Sequence, residues 1–214
     1  KEEGRRVGVG MEEGINPLST EPIPIQIIRE ILNPNSMLHF RHHKCEPAYP
    51  YFHVSALASG IDAVLRDCME ANYRFISVGA VNMGKAFHHY IQSLYKEFGR
   101  NAEFEFHMEW RGEEYGIIGD IDIIDHDAET IIELKTSLNN DAITPSHITQ
   151  AGAYRYMYFL LTGRNYKTVI LHYNVSANKL RQYWVGEGEA SRAWEEINRV
   201  AKRALQILRG EGDG

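Results

Sequence analysis

The sequence predicts a single-domain α/β sandwich. Three observations carry that expectation: helical periodicity up to residue 98, alternating strands with tight turns between 102 and 136, and a closing order of helix, two strands, helix. At 214 residues the chain fits one domain long enough to bury most of its apolar surface.

Taken in order, residues 1–54 show little periodicity apart from a short helical stripe, Ile25, Ile28, Ile31 and Leu32. Pro17, Pro22, Pro24 and Pro34 punctuate them, so an irregular arm with one short helix is expected. From Ser55 to Tyr73, Leu57, Ile61, Val64, Leu65 and Cys68 fall at helical spacings, with Ser55 as a plausible N-cap. A second helix spans roughly Val81 to Phe98, with Phe87, Ile91, Leu94, Tyr95 and Phe98 along one side. Ala102 to Trp110 alternates, which places Phe104, Phe106, Met108 and Trp110 on one face of a half-buried strand. After a turn at Arg111–Glu114, strands at Tyr115–Ile124 and Thr130–Thr136 flank a second turn at His126–Glu129. Ser146 to Thr162 is helical and ends at Gly163; Thr168–Val175 and Leu180–Val185 make a hairpin through Ser176–Asn178. An amphipathic helix at Glu189–Leu208 closes the core, taken as 55–209, and 210–214 reads as a flexible tail.

Hydrophobic residues are 43% and charged residues 24%, both ordinary for a globular chain. No apolar run approaches the roughly 18 residues that mark a membrane span. Lys1–Gly14 lacks the apolar core of a signal peptide, so a cytoplasmic protein is expected. Two cysteines, Cys45 and Cys68, cannot build a disulfide framework and read as free thiols in a reducing compartment. The net charge of −6 argues mildly against a passive nucleic-acid coat. It argues less against a metal-dependent nuclease, whose acidic ligands are offset by bound cations.

The informative stretch is Gly119-Asp120-Ile121-Asp122-Ile123-Ile124-Asp125, followed by Ile132-Glu133-Leu134-Lys135-Thr136. Strand alternation puts Glu133 and Lys135 on one face, and a charged pair among isoleucines and leucines is costly to bury without partners. Asp122 lies on the preceding strand of the same hairpin, where cross-strand neighbours are about 5 Å apart. Two carboxylates there suit Mg²⁺ or Mn²⁺, and Lys135 can orient or deprotonate a water or neutralise charge on a phosphate. The bland alternative is an exposed ion pair of little energetic weight.

Three further signals accompany the pattern. Gly84-x-x-x-His88 precedes Gly119-x-x-Asp122 and Glu133-x-Lys135, and Gln150-x-x-x-Tyr154 follows. This ordered set resembles the PD-(D/E)XK nuclease superfamily, and within it the RecB-type branch that includes the CRISPR-associated exonucleases with an iron–sulfur cluster. The resemblance implies a restriction-endonuclease-like α/β/α sandwich around a central mixed sheet. It implies that Asp122 and Glu133 are metal-binding acids, Lys135 the catalytic lysine and His88 a further metal ligand. Asp120 is the main rival to Asp122, and His89, about 100° round its helix from His88, would face elsewhere. Gln150 and Tyr154 would contact DNA or brace Lys135, against helix packing as the plainer role for Tyr154. Thr136 and Ser137 are candidates for phosphate contacts.

The chain also departs from that branch. Cys68 stands at a plausible first cluster position, but no cysteine follows it, so no iron–sulfur cluster is expected. His39, His42, His43, Cys45 and His53 carry zinc-type ligands at spacings that match no common module. A basic DNA-facing arm (Arg41, His42, His43, Lys44) is preferred. For Tyr49-Pro50-Tyr51-Phe52, core or dimer packing is preferred over base stacking. The expectation is thus a Mg²⁺- or Mn²⁺-dependent deoxyribonuclease, acting as an exonuclease or on ends and branches of single-stranded, duplex or branched DNA, without membrane association. A non-catalytic nucleic-acid-binding or assembly protein, a dimeric junction resolvase, and a metal-dependent enzyme on another substrate are the alternatives.

Overall fold

The computed structural model describes residues 45–69, 78–139 and 142–211. The stripe at Ile25–Leu32 and the basic arm at 41–44 lie outside them. The described elements are β1 (Tyr51–His53), α1 (Val54–Ala58), α2 (Ile61–Met69), α3 (Val78–Glu97), β2 (Ala102–Arg111), β3 (Gly116–Asp125), β4 (Thr130–Ser137), α4 (Pro145–Thr162), β5 (Lys167–Asn174), β6 (Lys179–Val185) and α5 (Glu187–Leu208).

Among the described residues six strands make one mixed sheet. β2, β3 and β4 form an antiparallel meander, β4 and β5 run parallel across α4, and β6 returns antiparallel to β5. One face of the sheet is covered by α1, α2, α4 and α5 around Ile117, Ile121, Met157 and Ile197; the other is covered by α3 around Phe87, Ile91, Ile132 and Leu171. This is the α/β sandwich that the element order predicts, in the α/β/α form that the resemblance implies.

Local chemistry explains the ends. Thr144 caps α4 by accepting from His147 N at 3.3 Å, Pro145 fills the first turn where its missing N–H is harmless, and Gly163 closes it at φ 72°. The helix expected as one piece from Ser55 is broken: Gly60 (φ 97°) separates α1 from α2, and His53 rather than Ser55 is the N-cap.

β1 was not foreseen. Three residues in a proline-rich stretch carry too little periodicity to mark a strand, yet Tyr51–His53 pair in parallel with Gly116–Ile118. The tyrosine–proline run is used for packing: Phe52 is buried, the Tyr51 ring fills the space over Gly116, and Tyr49 donates to Gly112 O at 2.9 Å.

The single face assigned to Phe104, Phe106, Met108 and Trp110 needs correction. Phe104 packs under α3 against Tyr95, whereas Phe106, Met108 and Trp110 pack on the α4/α5 side. Glu105 between them has φ 52°, a left-handed conformation that turns the strand over. Its cross-strand register continues without an inserted residue, so β3 changes faces alongside it: Ile121 belongs to one core and Ile123 to the other.

The cysteines also need correction. Cys45 and Cys68 are joined in a disulfide, Cα atoms 5.1 Å apart, which brings the approach to β1 onto α2. The chain brings the two thiols together in space although 23 residues separate them, a proximity that spacing alone does not reveal. The reducing-compartment inference that rested on free thiols falls with them, and Cys45 is not available as a zinc thiolate. Closing a loop of this size restricts the unfolded chain by about 3 kcal/mol. Cys68→Ala, or reduction of the intact protein, is therefore expected to lower the unfolding free energy by that amount, read as a lower urea midpoint. Equal midpoints with and without reductant would show that the bridge does not hold the fold.

Candidate active site

β3 and β4 form a ladder only as far as Ile123↔Ile132, and beyond it β4 leaves β3 while keeping register with β5 through Ser137↔Asn174. On the same edge of β3, β1 occupies Gly116–Ile118. Gly119–Asp122 thus face a gap between two strands. Asp122 would stand opposite Glu133 had the ladder continued. Instead its carboxylate reaches across the fork and accepts from Leu134 N at 2.7 Å, replacing the missing strand carbonyl.

Glu133 and Lys135 share the α4 face, as alternation requires. Lys135 Nζ donates to Glu133 Oε1 at 2.7 Å and to Gln150 Oε1 at 3.0 Å; Gln150 Nε2 donates to the same Glu133 oxygen at 2.9 Å and to Tyr154 Oη at 3.3 Å. One glutamine side chain therefore fixes both members of the pair. Glu133 is only 2% exposed, and its other oxygen, Oε2, is buried with no hydrogen-bond partner. From α3, His88 Nδ1 lies 3.5 Å from Asp122 Oδ1. His89 is exposed on the next position. Asp120 is turned to the neighbouring strand, where it meets His107 Nδ1 at 2.8 Å. Thr136, half-buried, lies against Gly84 of α3.

Tyr154 is buried, with its ring over Gly119: a Cβ added at Gly119 would stand 2.5 Å from the ring's Cε1. The glycine and the tyrosine of the two motifs are thus a packing pair beneath the site. A Cβ at Gly84 would meet Thr136 Oγ1 at an ordinary 3.5 Å.

Electrostatics follow from one lysine serving two acids, Glu133 buried and Asp122 half-buried. Burial pushes Glu133 up to about 7, with the nearby Asp122 charge adding to it and outweighing Lys135. Burial also raises Asp122, to about 6, against the pull of Lys135 and the Leu134 N–H. Lys135 is drawn down by burial but lifted further by Glu133 and Asp122, and stays a cation. Burial lowers His88, which favours neutral imidazole.

The donor set of two carboxylates and an imidazole, with one carboxylate oxygen buried and unpartnered, is chemically suited to a divalent cation. Among the described residues, however, no three such side chains already stand as a metal cage. Two residues absent from the sequence expectation also border Lys135. His172 is its cross-strand partner on β5, and the His147 ring, at the start of α4, lies 6.2 Å from that of His172. No short-range pattern marks either, because His172 reaches Lys135 through parallel register and His147 through the packing of α4 on the sheet.

No family model and no curated protein matches the chain. Solved structures do. A protein designated SSO0001 aligns with 82% of this chain and 84% of its own at 18% identity, with a TM-score of 0.50. A protein from Eubacterium rectale provisionally named an exonuclease aligns with 76% of this chain and 83% of its own at 11% identity, with a TM-score of 0.59. The chain shares its fold with these two structures.

Two outcomes test the geometry. Gly119→Ala is expected to lose about 1–3 kcal/mol in urea denaturation, because the Tyr154 ring has no room to withdraw. Gly84→Ala is expected to be neutral or to gain up to about 1 kcal/mol, as alanine is the better helix former. Equal effects at the two glycines would refute the packing pair. The second concerns pH. Glu133 titrates higher in the folded than in the unfolded chain, so between its ordinary value of 4.5 and about 7 the unfolded state is the first to lose the proton. Stability without metal should therefore fall as pH rises through that window and level off above it. The slope should be shallower in Glu133→Gln, measured by thermal melts in EDTA.

Proposed function

We propose that this protein is a divalent-metal-dependent nuclease that hydrolyses DNA phosphodiester bonds, acting as an exonuclease or on ends and branches, with its site at Asp122, Glu133 and Lys135. The observation that carries the reading is the buried, unpartnered Glu133 Oε2 beside Asp122 at the strand fork, because an uncompensated carboxylate oxygen is costly in a folded interior. His88, Asp122 and Glu133 would hold Mg²⁺ or Mn²⁺, which when bound supplies charge neutralisation and lowers the pKa of water.

The chain's own residues do the rest. Lys135, held cationic by Glu133 and Asp122, donates to a phosphate oxygen on which negative charge grows, so it acts as an electrostatic stabiliser and not as a base. Gln150 holds Lys135 and Glu133 at fixed separation, and Tyr154 holds Gln150. Tyr154, being buried, acts by positioning. Thr136, half-buried against Gly84, is assigned a contact to substrate oxygens. The RecB-type motif set supports action at ends over sequence-specific cutting.

The test uses end-labelled single-stranded, duplex and branched DNA with Mn²⁺, Mg²⁺ or EDTA. Cleavage is expected only with metal, falling by at least about 100-fold in both Glu133→Ala and Lys135→Ala. Binding that is indifferent to metal, with no cleavage of any substrate, would falsify the proposal in favour of a non-catalytic nucleic-acid-binding module. Cleavage confined to branched DNA would assign a junction resolvase.

A further inference from the structure

The α4 face of the sheet continues beyond Lys135. Ile170 on β5 and Tyr183 on β6 pack with Ala151 and Ile148 of α4, which fixes this face on both strands. Two residues along, alternation places His172 and Arg181 on it. The register makes a straight cross-strand row: Lys135 pairs with His172, and His172 with Arg181. The row runs from the fork to the sheet edge, two strand spacings or about 10 Å. It passes from half-buried Lys135, over buried His172, to exposed Arg181.

His147 sits over the middle of this row. Its Nδ1 accepts from Thr144 N at 3.3 Å in the helix cap, which leaves Nε2 as the N–H donor. Burial, with Lys135 and His172 nearby, lowers it to about 4, so the ring is neutral. The His172 ring lies 6.2 Å from it. A polyanion leaving the Lys135 site toward β6 would meet a cation at each end and a neutral donor between.

We propose that Arg181 and His147 form a phosphate-binding track that holds the strand of a nucleic acid next to the phosphodiester at Lys135, with Arg181 gripping a flanking phosphate. This deepens the nuclease reading and rests on it. Arg181 and His147 are binding residues here.

The test measures anisotropy of a fluorescein-labelled single-stranded oligonucleotide of about 20 nucleotides in EDTA, across a salt series. The full chain is compared with Arg181→Ala, Arg181→Glu, Arg181→Lys and His147→Ala. Arg203→Ala, an exposed charge on α5, controls for net charge. Removing one phosphate contact should reduce the slope of log affinity against log salt by about 0.7 in Arg181→Ala. Arg181→Glu should bind at least about 10-fold more weakly, Arg181→Lys should keep the slope, and His147→Ala should weaken binding without changing it. If Arg181→Ala and Arg181→Glu behave like Arg203→Ala while the unaltered protein binds and cleaves, the track is wrong and the nuclease reading stands. If the unaltered protein binds no oligonucleotide and cleaves none, both fall.

Discussion

The fork between β3 and β4 is the constraint on which the rest of this structure depends. A β-strand cannot leave its neighbour without exposing backbone groups that need partners. Here Asp122 resolves the problem by lending a carboxylate oxygen to Leu134 N, so the residue that opens the cleft also charges it. Parallel pairing with β5 holds β4 on its new course, and α4, delivered by the β4–α4–β5 crossover, lays Gln150 and Tyr154 over the opening. Each polar side chain at the centre thus has a backbone reason to be where it is.

The arrangement is unfavourable to the fold taken by itself. Two carboxylates and one ammonium withdrawn from water leave an excess of negative charge, and both acids respond by holding their protons more tightly. Such a pattern places chemical demand above packing, as sites that must receive a cation or polyanion often do. The surrounding shell compensates with apolar mass: isoleucines above and below the fork, and a tyrosine ring closing the space over Gly119.

Much of this was legible in the sequence because the informative signals are local. Strand alternation put Glu133 and Lys135 on one face, and the helix read from Ser146 to Thr162 ends at Gly163 as expected. The motif spacings led to the elements that the structure brings together at the fork: α3 with His88, the β3–β4 hairpin, and α4 with Gln150. What escaped depended on contacts distant along the chain. β1 exists because β3 offers it an edge 65 residues later; His172 meets Lys135 through parallel register and His147 through the packing of α4 on the sheet; the cysteines are joined by tertiary proximity. The inverted face of β2 escaped for another reason. One left-handed residue at Glu105 changes the parity of every side chain beyond it, and glutamate gives no warning of that conformation.

That inversion has a consequence for how substitutions combine. In a regular strand, residues two apart lean on the same neighbours, and truncating both gives effects that interact. Phe104 and Phe106 belong to separate packing environments, one shared with Tyr95 and the other with Tyr158. Lesions at these two positions therefore sum nearly independently, whereas Phe106 and Tyr158, far apart in sequence, are energetically coupled. Glu105 makes one strand a boundary between two blocks of residues, each free to vary in composition with little consequence for the other.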